Sequence, residues 1–328
     1  MRVLLVAGSP EPSSPTLVAR LAAGADSVVA VDRGADACRA AGVVPDAFCG
    51  DADTVRPQTL AWLCGREGEA LADVPRLSVT PADDVRDVPQ IHGELAARGI
   101  RLFEPAKYDT DLSLAFSCCR QLAGEAADAA RVEPADEPRA AEATADEPRV
   151  AEAVADETHV EVASGESRVE AADAARCSTE AAAALARGRT ACTGASSRGD
   201  SSEGTPADAL QVTVTCASAG RMDHALAVFG VLAANGDLAP VLVEDAFECR
   251  VLSPRGRMSW RLGPDAEGRG FSFVALADGT VVSERGMRWE LDHFRVDALR
   301  DRGISNVVVA PDAGVTCHEG ILAAFLLA

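Results

Sequence analysis

Short β-branched runs alternate with Ala- and Leu-rich segments over residues 1–123, and this alternation constrains the fold more than any other feature. The runs RVLLVA and SVVAVD are typical of strands, whereas SPTLVARLAAG, GADACRAAG and VPQIHGELAARG are typical of helices. Strand–helix alternation predicts a mostly parallel sheet with helices on its faces. The strand-like run LQVTVTCAS and the helix-like run MDHALAVFGVLAANG continue the pattern later in the chain. The same domain is therefore expected to resume over residues 210–243.

The pattern changes near residue 244, where short strand-like runs are separated by Gly, Pro and Asp. These runs include ECRVLSP, MSWRLG, FSFVALA, TVVSERG, NVVVAP and ILAAFLLA. Such spacing predicts a small antiparallel β-sandwich over residues 244–328. The expected fold class is α/β + all-β, with an N-terminal mostly parallel α/β sheet domain and a C-terminal β-sandwich domain.

Residues 124–209 have a different composition from the rest of the chain. They contain three related decapeptides, ADEPRAAEAT, ADEPRVAEAV and ADETHVEVAS, followed by a stretch rich in Gly and Ser. Pro138 and Pro148 interrupt any helix in the repeats. The segment is too poor in large apolar residues to offset the entropy of ordering it. We therefore expect 124–209 to be a long disordered insertion.

Charge and cysteine content restrict the partners and the location. The net charge is −20, of which the insertion supplies more than half with 19 acidic and 8 basic residues. This balance argues against nucleic acid as a partner. The ten cysteines have no zinc-site spacing, and reduced, buried thiols are typical of the cytoplasm.

Hydropathy gives no sign of a membrane segment. The sequence has no run of 18 apolar residues, so no membrane span is expected. The N-terminal stretch MRVLLVAGSP is too short in its apolar part for a signal peptide and is expected to form the first strand. Only 4% of the residues are aromatic, so the core should consist mainly of Val, Leu and Ala.

Polar clusters follow the predicted strands of the first domain, where open parallel sheets bind their ligands. The clusters are VDRGAD, PDAFCGDADT, KYDTD and SAGRMDH, and the first two contain Asp32, Asp51 and Asp53. A single loop acid is often only a turn former or a helix cap. Four clusters at equivalent strand ends instead favour one shared site.

The residue types in these clusters indicate phosphate chemistry. Several carboxylates in one place repel one another unless a cation lies among them. Hard oxygen ligands and few histidines suit Mg²⁺, which is typically held by one or two carboxylates together with substrate phosphates. The sequence contains neither GxxxxGK[ST] nor GxGxxG, so the two common nucleotide fingerprints are absent. In this interpretation the acids hold the metal, while Lys107 and Arg221 face phosphate oxygens.

Lys107 is the only lysine, since the other 30 of the 31 basic residues are arginine. It lies close to Asp109 and Asp111 in the third cluster. Chance is one explanation, because a residue of a rare type must fall somewhere. The other is that the site requires a compact ammonium group, which a planar guanidinium does not replace.

Ordered motifs resemble the thiamine pyrophosphokinase (thiamine diphosphokinase) family. The matching stretches in the first part are VAGS, VDRGADACRAAGVVPDAFCGDADT, KYDTDLSLAF and GRMDH. The family pattern is roughly P-D-x-x-x-G-D-F-D-S, then K-D-x-T-D, then G-G-R-x-D-H. In the second part, FSFVAL, SERGMRWEL and GISN resemble the family's β-rich thiamine-binding domain. The resemblance covers residues 1–123 and 210–328 and omits the insertion.

The resemblance implies transfer of a diphosphate from ATP to the hydroxyl of thiamine, giving thiamine diphosphate and AMP with Mg²⁺ as cofactor. It also implies a homodimer, in which thiamine lies between the ATP- and Mg²⁺-binding domain (1–123 and 210–243) of one subunit and the thiamine-binding domain (244–328) of the other. The implied catalytic residues are Asp51, Asp53, Lys107 and Asp111, and the implied metal ligands are Asp51, Asp53 and Asp109. The implied ATP-binding residues are Asp32, Thr110, Arg221, Asp223 and His224. The implied thiamine-binding residues are Trp289, Ser305 and Asn306.

The sequence departs from the family pattern at several positions. Ala52 and Thr54 replace the Phe and Ser of the second motif, and Ala219 replaces the first Gly of the fourth. Tyr108 stands where the family usually has Asp, and Asp109 follows one place later. This shift leaves open whether Asp109 or Asp111 faces the metal.

Two of the implied thiamine-binding residues also have a simpler interpretation. Thiamine carries a fixed positive charge, so the face of Trp289 could supply a cation–π contact of about 0.5–2 kcal/mol. The alternating pattern of GMRWEL is equally compatible with a tryptophan in the core of a sandwich. Asn306 could likewise be a turn residue.

Two other functions compete with the implied one. A pterin-type diphosphokinase would use the same acid-rich domain for a different alcohol. A non-catalytic sensor of thiamine or nucleotide would be expected to have broken acid clusters. Asp51, Asp53 and Asp111 are all present, which favours an enzyme.

Overall fold

The structure of the protein, a computed structural model, describes residues 1–66, 88–103, 110–131 and 210–328. The side chains of 88–92 and 130–131 are not included in that description. Most of the predicted insertion, together with Lys107 and Asp109, lies outside the described residues.

Parallel strands alternate with helices in the first part of the chain, as predicted. The strands are β1 (Arg2–Val6), β2 (Ser27–Val31), β3 (Ala47–Cys49), β4 (Arg101–Phe103), β5 (Gln211–Thr215) and β6 (Val241–Glu244). The helices are α1 (Pro15–Ala23), α2 (Gly34–Ala40), α3 (Pro57–Leu63), α4 (Val88–Ala97), α5 (Asp111–Arg131) and α6 (Met222–Ala234).

The second part is built from antiparallel strands. These are β7 (Phe247–Leu252), β8 (Ser259–Arg261), β9 (Gly270–Ala275), β10 (Thr280–Arg285), β11 (Leu291–Val296), β12 (Asn306–Val307), β13 (Gly314–Glu319) and β14 (Leu322–Leu327). Short 3-10 segments occur at Gly236–Leu238, Pro264–Ala266 and Asp301–Gly303.

A mixed sheet runs through both parts of the chain. Its ten strands among the described residues have the order β12-β9-β14-β7-β6-β5-β1-β2-β3-β4. Strand β6 pairs in parallel with β5 and antiparallel with β7. The predicted boundary between residues 243 and 244 therefore falls inside one sheet. A hairpin needs only two connecting residues, here Asp245 and Ala246, so no linker separates the two parts.

The β-rich half also contains a second sheet, which is antiparallel. Its described strands have the order β11-β10-β13-β8. Side chains from the two sheets, including Phe271, Phe273, Val282 and Val315, form one buried apolar cluster. The predicted antiparallel sandwich is therefore present, but one of its layers is an extension of the parallel sheet.

The parallel strands are buried on both faces. Every residue of β2 is buried, and separate apolar clusters cover the two faces of the sheet. This explains why β2 is a continuous run of small and β-branched residues instead of an alternating one. The eight cysteines within the described residues are free and buried, which agrees with the predicted reduced thiols.

Helix α5 is longer than predicted. The insertion was predicted to start at residue 124, whereas α5 continues to Arg131. Residues 124–131 are rich in Ala, a strong helix former, so they extend a helix whose earlier turns are anchored in the core by Ala115, Phe116 and Cys119.

None of the helices in the described ranges is long and apolar enough to span a membrane.

The composition of the insertion leads to a testable prediction. Replacing residues 134–205 with a short Gly/Ser linker should preserve the melting temperature and activity, because long surface loops cost little to close or shorten. The replacement begins beyond Arg131, so it leaves helix α5 intact. Thermal melts and steady-state rates of the two proteins make the comparison. Insoluble protein or loss of most activity would show that the segment is structural.

Candidate active site

Three aspartates come together at the carboxyl edge of the parallel sheet. Asp32 follows β2, while Asp51 and Asp53 follow β3, the neighbouring strand. A carboxylate oxygen of each lies within 4.8 Å of one from each of the others. This cluster was predicted from the positions of the acids after parallel strands.

Backbone conformation brings these side chains together. Asp32 and Ala52 both have left-handed backbones, with φ of 46° and 58°, so the chain turns sharply at each. The backbone N–H of Asp53 donates to Oδ1 of Asp51 at 3.1 Å, which closes the loop. Gly50 has φ of 128°, and a Cβ there would lie 3.1 Å from Cβ of Asp32. A glycine at this position therefore allows the two loops to approach.

Asp32 is the most enclosed of the three acids, with 8% of its surface exposed. The hydroxyl of Thr54 donates to its Oδ2, while its Oδ1 is buried and has no partner among the described residues. Burial is the main cause that raises the pKa of this carboxyl, and the charge of Asp53 adds to it. Thr54, which departs from the family's serine, thus still supplies a hydroxyl to the site.

Asp111 belongs to the same electrostatic cluster. It is the first residue of α5, where a helix N-terminus favours negative charge. Burial, followed by the charges of Asp32, Asp51 and Asp53, raises its pKa to about 6. Burial is thus the main cause of the raised pKa values of Asp32, Asp53 and Asp111, and the charges of neighbouring carboxylates add to it.

The raised pKa of Asp111 predicts the pH dependence of stability in the metal-free protein. The folded protein holds this proton more tightly than the unfolded chain does, so the stabilising contribution is present at low pH. It is lost as the pH rises through about 6. Asp111→Asn does not titrate, so its melting temperature relative to wild type should increase between about pH 4 and pH 7. Thermal melts in a chelator test this, and a difference that does not vary with pH would contradict it.

These residues fit a hard divalent cation. The donors are carboxylate oxygens, which Mg²⁺ and similar ions prefer. The unpartnered, buried Oδ1 of Asp32 is a polar atom that a cation would satisfy. A cation would also offset the repulsion that raises the pKa of Asp53 and of Asp111.

The fourth predicted cluster lies at the same edge, after β5. Arg221 donates to Asp223 through Nε at 3.2 Å and through Nη2 at 2.5 Å. These hydrogen bonds lower the pKa of Asp223 to about 2. Asp223 and His224 are exposed in the first turn of α6. The fold places these residues at the predicted edge, with the guanidinium paired to a neighbouring acid.

Glu244, which the sequence analysis missed, holds the loop that leads to Arg221. Its carboxylate, at the end of β6, accepts hydrogen bonds from the backbone N–H groups of Cys216, Ala217 and Ser218. The hydroxyl of Ser13, in the loop after β1, donates to the same carboxylate. Glu244 thereby joins the loops after two adjacent strands. No sequence motif marks it, because its partners are distant along the chain.

Thr110 lies at the start of α5. Its hydroxyl accepts the backbone N–H of Ser113 at 3.3 Å, which is the hydrogen bond of a helix N-cap. The predicted site residues Lys107 and Asp109, which precede it, lie outside the described residues.

Trp289 is exposed and does not belong to the sandwich core. Its side chain is 58% exposed, so the alternative interpretation as a core tryptophan is wrong. The guanidinium of Arg288 lies 5.6 Å from the centre of its ring. The ring is therefore largely exposed to solvent, with one cation already near it.

Asn306, in contrast, is buried, with 6% of its surface exposed. Its amide hydrogen-bonds the backbone of Trp289 and the carboxylate of Glu284. Ser305, the preceding residue, is exposed and has a left-handed backbone with φ of 68°. Its backbone N–H donates to Oγ of Ser272 at 3.0 Å. The structure thus brings Trp289 and Asn306 together through hydrogen bonds.

Comparison with known proteins finds similarity in structure. No protein-family model matches the sequence, and no curated protein matches it significantly. The thiamin pyrophosphokinase from Candida albicans aligns with a TM-score of 0.55 at 11% identity, covering 100% of this chain and 89% of its own. The yeast enzyme aligns with a TM-score of 0.54 at 9% identity, covering 100% of this chain and 86% of its own.

A bacterial structure gives the same result. The thiamin pyrophosphokinase from Geobacillus thermodenitrificans aligns with a TM-score of 0.53 at 14% identity, covering 100% of this chain and 98% of its own. Such identities relate the proteins through their folds. The chain therefore has a fold similar to that of these thiamin pyrophosphokinases.

Proposed function

We propose that the protein is a thiamine diphosphokinase, which transfers a diphosphate from ATP to the hydroxyl of thiamine and releases AMP. The observation that carries this proposal is the cluster of Asp32, Asp51, Asp53 and Asp111 at the carboxyl edge of the sheet. The motifs that contain these acids resemble the family, and the fold is similar to solved members.

The acid cluster is the proposed site for Mg²⁺ and the phosphates of ATP. Asp51 and Asp53, with Asp32 behind them, would hold the cation, which when bound offsets the charge of the phosphates. Arg221 would contact phosphate oxygens on leaving its ion pair with Asp223. Thr110 and His224 are the other described candidates for ATP contacts. In this proposal Lys107 and Asp109 complete the site as a phosphate contact and a metal ligand.

Diphosphate transfer depends mainly on positioning and electrostatics, since the attacking and leaving oxygens must lie in line. Asp111 is at the start of a long helix and is half-buried, so its carboxylate is held in place. We propose that one of its oxygens accepts the hydroxyl proton of thiamine as the new bond to phosphorus forms. Only modest basicity is needed, because the leaving AMP oxygen is stabilised as it departs.

The proposed thiamine site lies in the β-rich half. The exposed ring of Trp289 suits a flat cation such as thiazolium. Ser305, which is also exposed, directly precedes Asn306, the residue that hydrogen-bonds the backbone of Trp289. We propose a cytoplasmic homodimer, in which the acid cluster of one subunit faces Trp289 of the other. Thiamine would then bind between the two subunits.

A panel of acceptor alcohols tests the proposed function. Purified protein with ATP and Mg²⁺ is given thiamine, a hydroxymethylpterin or no acceptor, and AMP release is measured. We expect AMP release that depends on thiamine. Release that depends only on the pterin would favour a pterin diphosphokinase. Binding of thiamine or ATP by calorimetry without any AMP release would instead favour a sensor.

A further inference from the structure

Glu284 is a buried acid in the middle of the sandwich core. It lies on β10, where Thr280, Val282 and Glu284 alternate toward the interior and are all buried. Only 2% of its surface is exposed. A carboxylate at such a position is costly unless it has a compensating partner, so its presence needs an explanation beyond packing.

The partner of Glu284 is the side chain of Asn306. Oε2 of Glu284 accepts a hydrogen bond from Nδ2 of Asn306 at 3.0 Å. Its other oxygen, Oε1, is buried and has no partner within the described ranges. Burial raises the pKa of Glu284 to about 7, while the hydrogen bond from Asn306 opposes that shift. Among the described residues, the side chain of Glu284 therefore has one hydrogen bond, which goes to Asn306.

The amide of Asn306 clamps the backbone of Trp289. Nδ2 also donates to the carbonyl oxygen of Trp289 at 2.8 Å. Oδ1 accepts the backbone N–H groups of Trp289 at 3.2 Å and of Val307 at 2.9 Å. A side-chain amide has two donor hydrogens and two acceptor lone pairs. These contacts within the described residues use all four, so Asn306 acts on Trp289 and has no remaining group for a ligand.

Glu284 and the carbonyl oxygen of Trp289 together determine which way this amide faces, since both accept from its NH₂ group. A carboxylate oxygen accepts hydrogen bonds, so it fixes the NH₂ group of Asn306 toward β10. The carbonyl oxygen of the amide then faces the N–H groups of Trp289 and Val307. If the amide were flipped, its NH₂ group would face the N–H groups of Trp289 and Val307. Its oxygen would then face the carboxylate of Glu284 and the carbonyl oxygen of Trp289.

We propose that Glu284 is a positioning residue for the thiamine site, acting through Asn306 to hold the backbone of Trp289. This inference rests on the proposed function, in which the Trp289 ring contacts thiamine. It gives a role to a residue of the stretch SERGMRWEL that had none in the sequence-based prediction, and it changes the expected role of Asn306 from ligand contact to support. Glu284 itself does not touch the substrate.

Three substitutions at residue 284 separate positioning from packing. Glu284→Gln keeps an acceptor oxygen for Asn306, so its KM for thiamine should stay close to that of the wild type. Glu284→Leu removes the acceptor and should raise the KM for thiamine about fivefold, the size of one lost hydrogen bond, without changing the KM for ATP. Glu284→Val should act like Glu284→Leu and suits a strand better. Glu284→Val therefore replaces Glu284→Leu in the test if the leucine variant does not fold.

Two controls identify the path of the effect. Val282→Ala loosens the same core on the same face of β10 without affecting Asn306, so it should lower the melting temperature but leave the KM for thiamine unchanged. Combining Glu284→Leu with Asn306→Ala should be no worse than Asn306→Ala alone, because the two residues act in series.

Hydrogen exchange at the backbone N–H of Trp289 gives a readout that needs no substrate. Exchange should be faster in Glu284→Leu than in wild type and in Val282→Ala. Unchanged exchange together with an unchanged KM for thiamine would overturn the inference. If the wild type makes no thiamine diphosphate but exchange still responds, the proposed function fails and the inference about the substrate fails with it. If the wild type is active but Glu284→Leu and Glu284→Val have the same KM for thiamine and the same exchange at Trp289 as the wild type, the inference fails and the proposed function stands.

Discussion

Asp51→Asn and Asp53→Asn should each lower turnover by about a thousandfold, because a metal site contributes several kcal/mol to stabilising the transition state. Each substitution removes one carboxylate charge from a group of acids whose oxygens lie within 4.8 Å of one another. The same change relieves repulsion in the metal-free protein. Its melting temperature should therefore stay the same or rise, although activity is lost.

The measurements are steady-state rates with Mg²⁺ and thermal melts in a chelator. Asp265→Asn is a matched control, since Asp265 is an exposed acid on the turn before β9 and its loss should change neither quantity. Wild-type rates in both site variants would remove Asp51 and Asp53 from the proposed mechanism. A lower melting temperature in the chelator would show that these acids stabilise the fold by contacts other than metal binding.

Trp289→Ala should raise the KM for thiamine about tenfold, which corresponds to the middle of the range for a cation–π contact. The KM for ATP and the melting temperature should change little, because the ring is 58% exposed and contributes little to the core. Trp289→Phe keeps an aromatic face, so its KM for thiamine should be close to that of the wild type. The comparison therefore separates ring contact from simple removal of bulk.

Kinetics with thiamine and ATP varied in turn, together with melts, make this test. A fall in the melting temperature with an unchanged KM for thiamine would mark Trp289 as structural. Equal increases in both KM values would indicate a general distortion of the protein instead of a thiamine contact.

The acid cluster was predictable from the sequence because its geometry follows from local rules. Asp32, Asp51 and Asp53 each follow a short apolar strand, and parallel neighbours align their carboxyl ends. Two adjacent strands suffice to bring the three side chains together. The exposure of Trp289 was left open, because this residue lies on the bend between β10 and β11, where alternation along GMRWEL does not determine which side chains meet the core.

Contacts between distant segments were not predictable in this way. Glu284 and Asn306 are 22 residues apart, and their hydrogen bond depends on the sandwich having formed. The alternation in TVVSER does show Glu284 on the same face as Val282, a signal that was available but conflicted with the usual exposure of glutamate. Glu244 likewise depends on the order of β6, β5 and β1 in the sheet.

Several strands were missed for related reasons, among them β4, β6, β11 and β13. Strands β11 (LDHFRV) and β13 (GVTCHE) contain His and charged residues, which dilute the strand signal, and both pair with β10. The β-rich half was expected to form its own sandwich, whereas β6 and β7 join it to the parallel sheet. Pairing partners, unlike strand propensity, are set by the whole fold.

The central claim is tested most directly by identifying both products of the reaction. Purified full-length protein is incubated with ATP, Mg²⁺ and thiamine, and thiamine phosphates and adenine nucleotides are separated and quantified. We expect one AMP for each thiamine diphosphate formed, and neither product from Asp51→Asn or without Mg²⁺. Formation of ADP with thiamine monophosphate, or no phosphorylated thiamine at all from the wild-type protein, would contradict the account.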